Sequence, residues 1–89
     1  MMKLIRTQDK LRAINAQFVH FFEIAENYDD DGEETGKMDI DAYLSVRKKD
    51  YFSIIATYNT EAECIRQLDR LMDFLGSNTT SGVYDMPTF

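Results

Sequence analysis

The 89-residue chain has no tryptophan, one cysteine, one histidine, one proline and four glycines, and each scarcity excludes something. A lone Cys64 cannot close an intramolecular disulfide, so the chain is not one of the small secreted domains that depend on such bridges, and a reducing compartment is expected. Cys64 and His20 together offer two ligands where zinc needs three or four. Gly32, Gly36, Gly76 and Gly82 stand apart, so no glycine-rich loop cradles a phosphate. No apolar run approaches the ~20 residues of a membrane span, and residues 1–10 turn polar before a signal-peptide core could form. A cytoplasmic protein with no membrane partner is the expectation.

What the chain does have is a 44% hydrophobic and 12% aromatic content, which suits a folded domain and not a disordered one. At this length it is one small domain, of the kind that buries only ~60% of its unfolded surface. The net charge of −6 is unevenly placed. Residues 1–22 carry +3, residues 23–41 carry −8, and residues 42–89 carry −1. Like charges repel nucleic acid and anionic lipid from the acidic segment, whereas a basic partner would be drawn to it.

Residues 3–8 and 11–14 read as two short strands joined by a tight turn, and Asn15, Ala16 and Gln17 as a kink. Residues 18–26, rich in β-branched and aromatic side chains, predict a third strand. Residues 27–37 concentrate Asp, Glu and two Gly and predict a solvated connection. The clearest signal follows. Met38, Ile40, Ala42, Leu44 and Val46 alternate with Asp39, Asp41, Tyr43, Ser45 and Arg47, the period of a strand with one buried face. Lys48, Lys49 and Asp50 then predict a turn, and residues 51–58 a further strand with Phe52, Ile54, Ala56 and Tyr58 on one face.

The period changes at Thr60. Thr60-Glu61-Ala62-Glu63 has the form of a capping box, with the Thr hydroxyl accepting from the first turn and the Glu reaching back to the Thr amide. Behind it Ala62, Ile65, Leu68, Met72 and Leu75, joined by Cys64 and Leu71, form an apolar stripe, with Glu63 and Gln67 on the exposed side. Gly76 is placed as a left-handed stop. The expected architecture is α+β: an antiparallel meander sheet of four to five strands followed by one C-terminal amphipathic helix packed on one face. Residues 1–76 form the domain. Residues 77–89 are a polar, turn-rich tail of the kind often disordered at a terminus, with Val83, Tyr84, Met86 and Phe89 as the apolar exceptions suited to docking.

One helix covers one face of such a sheet. The other parity carries Tyr43, Tyr51 and Ile55, with Phe21 beside them, and large apolar groups on an uncovered face mark an interface, most commonly that of a twofold homodimer.

The remaining constellations are weaker. Residues 27–32 match the first half of a calcium loop, but the twelfth position, which should be a bidentate Glu, is Met38, and no metal is expected. Cys64 lies in the helix stripe, where a thiol acts as a small hydrophobe, so a Cys–His nucleophile is not expected. Carboxylates on a solvated loop lack the burial that separates an acid from a base. No enzyme and no cofactor are expected. Lys3, Arg6, Lys10, Arg12, Arg47, Lys48 and Lys49 could form a basic patch, but such residues more often protect sheet edges, so direct nucleic-acid binding is disfavoured.

The segments K-L-I-R-T-Q-D (residues 3–9) and I-A-T-Y-N-T-E-A-E-C-I-R-Q-L-D-R-L (residues 55–71) resemble a group of small uncharacterised proteins of Gram-positive bacteria and their mobile elements. The likeness spans residues 3–75 apart from the acidic loop. It implies strands followed by a capped helix, and no activity. Two functions follow as expectations. The first is a non-enzymatic protein-interaction or regulatory module that self-associates through Phe21, Tyr43, Tyr51 and Ile55. The second is an acidic inhibitor or decoy that imitates nucleic-acid phosphates, using residues 23–41, with Asp29, Asp30, Asp31, Glu33 and Glu34 as the patch that meets a basic protein.

Overall fold

A computed structural model of the chain describes residues 2–45, 51–77 and 82–88. Among them, six strands and one α-helix follow in the order β1 (Lys3–Arg6), β2 (Ala13–Asn15), β3 (Phe21–Tyr28), β4 (Glu34–Tyr43), β5 (Phe52–Tyr58), α1 (Glu61–Gly76) and β6 (Gly82–Asp85). The fold is α+β with antiparallel pairing in both sheets. It is not a single meander of four to five strands. β2-β1-β6 form one three-stranded sheet and β3-β4-β5 another.

Local chemistry explains the division. Asn15 Oδ1 accepts from the Gln17 amide at 3.0 Å and starts a 3-10 turn over Ala16–Phe18, so the chain leaves the first sheet before β3 begins. At the other end α1 carries the chain from the second sheet back to the first, where β6 runs parallel to β1, with residues 7–81 between these two neighbours. The helix is therefore not the last element, and part of residues 77–89 belongs to a sheet. The two sheets meet at the outer edge of β5. There the Gln8 amide donates to Ile55 O at 2.8 Å, and Gln8 Oε1 accepts from the Thr57 amide at 2.9 Å.

The core lies between α1 and one face of β4 and β5 and is closed by Ile5 of β1 and by Met86, just beyond β6. The centre of the helix contact is Cys64, Gln67 and Leu71, all buried, whereas Ile65 and Met72 are 47% and 49% exposed. The stripe is thus rotated relative to its hydropathy reading, and Gln67 faces inward. Thr60 caps the helix by accepting from the Glu63 amide at 3.1 Å. The Glu63 carboxylate does not reach back. It accepts from Arg66 at 2.8 Å and from Gln67 Nε2 at 2.9 Å, because drawing the Gln67 amide into the core requires a charged acceptor one turn away.

Gly76 is the last helical residue and takes no left-handed conformation; Ser77, in extended backbone, is the cap. The exposed carbonyls are met by a cation instead. Lys3 Nζ donates to Phe74 O at 2.9 Å, to Leu75 O at 3.0 Å and to Ser77 O. An ammonium at a helix C-terminus opposes the dipole and fills orphan acceptors at once. Lys3→Met, which keeps the apolar stem, is expected to cost about 1–2 kcal/mol, read as a lowered urea midpoint with the far-UV signal of the folded state retained.

The acidic segment is less of a loop than its composition implies. β3 runs to Tyr28 and β4 begins at Glu34, so the connection is residues 29–33. Asp29 Oδ1 accepts from the amides of Asp31 (2.9 Å) and Glu33 (3.0 Å), and Gly32 takes φ +80°, a turn built from local side-chain-to-backbone bonds. The turn expected at residues 48–50 lies outside the described residues, as do Val46 and Phe89.

Candidate functional site

Among the described residues, the β3-β4-β5 sheet has α1 on one face and no helix on the other. On that open face the strands align side chains in rungs. Phe21 pairs with Tyr43 and Tyr43 with Phe52; the next rung is Glu23, Asp41 and Ile54, and the third Ala25, Asp39 and Thr57. The first rung is an aromatic ladder. Phe21 and Tyr43 stack with centroids 4.4 Å apart and planes 9° from parallel, and Tyr43 and Phe52 stack at 5.2 Å and 26°. Phe21, Phe52 and Ile54 remain substantially exposed, and Tyr51, just before β5, is exposed as well.

Ile55 is not on this face. The β4–β5 register shifts between Ile40 and Asp41: Ile40 pairs with Ala56 but Asp41 with Ile54, leaving Ile55 as the extra residue of a bulge. The shift inverts the parity of the strand. Phe52 and Ile54 point to the open face, Ala56 and Tyr58 to the helix, and Ile55 is wholly buried in the core. Of the four residues expected at the interface, the structure therefore brings Phe21 and Tyr43 into contact, leaves Tyr51 exposed nearby and removes Ile55. Phe52 and Ile54 take its place. The run Ile54-Ile55-Ala56, three apolar residues where alternation would give one or two, is the local trace of the bulge in the chain.

Asp39 and Asp41 are the second departure. Both belong to the polar parity of β4, yet both are buried, Asp41 with 5% exposure. Asp39 is satisfied: Asn27 Nδ2 donates to both its oxygens at 3.0 and 3.2 Å, and Thr57 Oγ1 donates at 2.6 Å. Asn27 also accepts from Thr35 Oγ1 at 2.6 Å, so the first oxygen of the half calcium loop is engaged within the sheet. Asp41 is not satisfied. Among the described residues no donor reaches its Oδ1. Burial, then the charges of Asp39 and Glu23, push its carboxyl from 3.8 to about 6. The Tyr43 hydroxyl is raised as well, by burial first and by Glu23 and Asp41 after it.

The five tip carboxylates, Asp29, Asp30, Asp31, Glu33 and Glu34, are all exposed, and one of them, Asp29, is committed to the turn. Among the described residues each member of the basic set has a partner. Lys3 caps the helix, Arg6 and Lys10 lie 3.4 and 3.9 Å from Asp85, and Arg12 Nη1 donates to Ser53 at 3.2 Å. Residues 47–49 lie outside the described residues. Cys64 is buried, its thiol pKa raised by burial, with Sγ 3.4 Å from Met38 O, while His20 is exposed at the start of β3. No described helix is long and apolar enough to cross a membrane. No family model, no curated protein and no solved structure matches the chain.

Proposed function

We propose that the protein is a non-enzymatic interaction module that self-associates through the open face of the β3-β4-β5 sheet. The observation that carries this reading is the Phe21–Tyr43–Phe52 ladder with Ile54 beside it, a run of apolar surface on the one sheet face that α1 does not cover. Stacked aromatic rings are rigid and amphipathic, so they present contact area at low entropic cost. The Tyr43 phenol donor stands one rung from the Glu23 and Asp41 carboxylates, and a patch carrying both donor and acceptor suits an isologous twofold contact. A cytoplasmic setting and a place among small proteins of Gram-positive bacteria belong to the same proposal and supply no catalytic residue. The acidic-decoy reading keeps the five tip carboxylates but loses Asp39 and Asp41, which are buried in the sheet.

Light scattering on a sizing column at tens of micromolar is the direct test. The expected mass is that of a dimer, and Ile54→Lys, at an exposed position, is expected to weaken the dimer by about ten-fold or more with the helical signal unchanged. A monomer at that concentration, or an Ile54→Lys protein of unaltered mass, would overturn the reading.

A further inference from the structure

The open face carries carboxylates that nothing on it neutralises. Its three rungs hold Glu23, Asp41 and Asp39 and no basic residue. Glu23 and Asp41 are direct cross-strand partners, a placement that destabilises a sheet when both groups carry the same charge. Asp39, one rung on, is already occupied, since Asn27 and Thr57 donate to its oxygens. Asp41 has no such help. It is 5% exposed on the central strand, and among the described residues its Oδ1 meets no donor. The groups facing it are Glu23 from β3, Asp39 and Tyr43 from β4, and the apolar Ile54 from β5. A buried carboxylate left without a donor is costly, and the cost is relieved by a proton or by a cation.

One chain alone is an incomplete site for a cation. Among its described residues no three His, Cys, Asp or Glu are grouped so as to hold a metal ion, and with Asp39 engaged only Glu23 and Asp41 remain on this face. The open-face dimer proposed above, on which this inference rests, supplies the missing ligands. A twofold axis running along the central strand β4 lays one aromatic rung on the other, Phe21 over the partner's Phe52 and Tyr43 over the partner's Tyr43. The same operation sets the two Asp41 side chains opposite each other, with a Glu23 on either side. Packed sheets stand ~10 Å apart, so two facing Asp carboxylates come within reach of a single ion.

The contact then holds four carboxylates and no lysine or arginine from these rungs. That donor set is all oxygen. Calcium takes ~6–8 oxygen ligands in flexible geometry, and carboxylates can supply one or two each, whereas zinc and softer metals favour nitrogen and sulfur.

We propose that a hard divalent cation of the calcium class binds on the twofold axis between two copies, held by Asp41 and Glu23 of each, and strengthens their association. The ion and the proton are alternative answers to the same charge, so each excludes the other.

The probe is calcium chloride added to the full chain at pH 7, compared with a chelator at an ionic strength matched by potassium chloride. Sedimentation across a dilution series reads the dimer dissociation constant. Calcium is expected to tighten the dimer by about ten-fold or more, to saturate at one ion per two chains, and to lose its effect as the pH falls below about 6. Glu23→Gln and Asp41→Asn should each lose the response. In chelator each should associate more tightly than the parent chain, because like charge has left the contact. Glu23 is exposed, so it carries the test should Asp41→Asn disturb the circular dichroism of the fold. A tightening that potassium chloride reproduces, a dimer that calcium leaves unchanged, or a response kept by both variants would overturn the proposal, the last placing the ion at the 29–33 turn. A monomer in both media would overturn the open-face reading and this proposal with it.

Discussion

Truncating the chain after Ser77 is expected to unfold the domain and not merely trim a tail. Met86 is fully buried in the core, and its amide donates to Arg6 O at 3.1 Å beyond the last residue of β6. The Pro87 carbonyl accepts from the Tyr58 hydroxyl at 2.8 Å and from Gln8 Nε2 at 3.0 Å, tying the segment to both sheets. Losing it would expose Ile5 and Leu71, strip one edge of β1 and leave the buried Tyr58 hydroxyl without that acceptor. Met86→Ala alone should cost about 3 kcal/mol, the usual range for a large buried aliphatic truncated to Ala. A domain this small has a total stability near the lower end of about 5–15 kcal/mol, so the single change removes a large share of it and the full truncation exceeds it. Urea unfolding followed by circular dichroism reads both. A truncated chain with an unshifted midpoint would contradict the packing described.

How much of this was legible beforehand depends on how local the cause is. The β1–β2 hairpin, the alternation of Met38, Ile40 and Ala42, and the Thr60 cap are set by neighbours within a few residues, and the chain shows them directly. The division into two sheets is not local. It depends on a parallel partner for β1 that lies some 80 residues away, and a strand of four residues inside a polar tail is too short to show a period. Gln67 was placed outward because it is polar, yet Cys64, Gln67 and Leu71 are spaced at three and four, and it is geometry that chooses the buried line. The same holds for β5. Strict alternation put Ile55 on the open face, and one extra residue in the ladder moved it to the core while moving Ile54 out. A one-residue shift exchanges the two faces of a strand, so interface residues are the least secure part of any such reading. Phe21 and Tyr43 keep the face that alternation gives them, whereas Phe52, which alternation groups with Ile54, Ala56 and Tyr58, joins them on the open face because it lies before the bulge.

Asp41 is expected to make the protein more stable as the pH falls from 7 toward 4, the reverse of the behaviour of a carboxylate held by a cation. Its folded pKa of about 6 lies above its ordinary 3.8, so the folded chain binds the proton more tightly than the unfolded chain. The contribution is fully present below about 3.8, declines between there and 6, and is lost above 6. Relative to pH 7 the gain is on the order of 1 kcal/mol at pH 5 and about 2 kcal/mol at pH 4, before the other carboxylates begin to protonate. The groups facing it explain the direction. The charges of Asp39 and Glu23 oppose ionisation of the buried Asp41, and among the described residues no hydrogen-bond donor meets Oδ1. Asp41→Asn removes the charge at nearly constant volume. It should raise stability at pH 7 by about 1–2 kcal/mol, less than the charge term because an amide brings buried polar atoms of its own, and it should flatten the slope between pH 7 and 4. Glu23→Gln, at an exposed site, should lower the pH at which the gain begins without removing it. Urea midpoints measured at each pH distinguish these variants, and an unchanged slope in Asp41→Asn would place the titrating group elsewhere. If the open face is the dimer contact, the same proton is linked to assembly. Neutral Asp41 removes one like charge from each side of the contact, so the dimer should tighten over the window in which the fold gains stability.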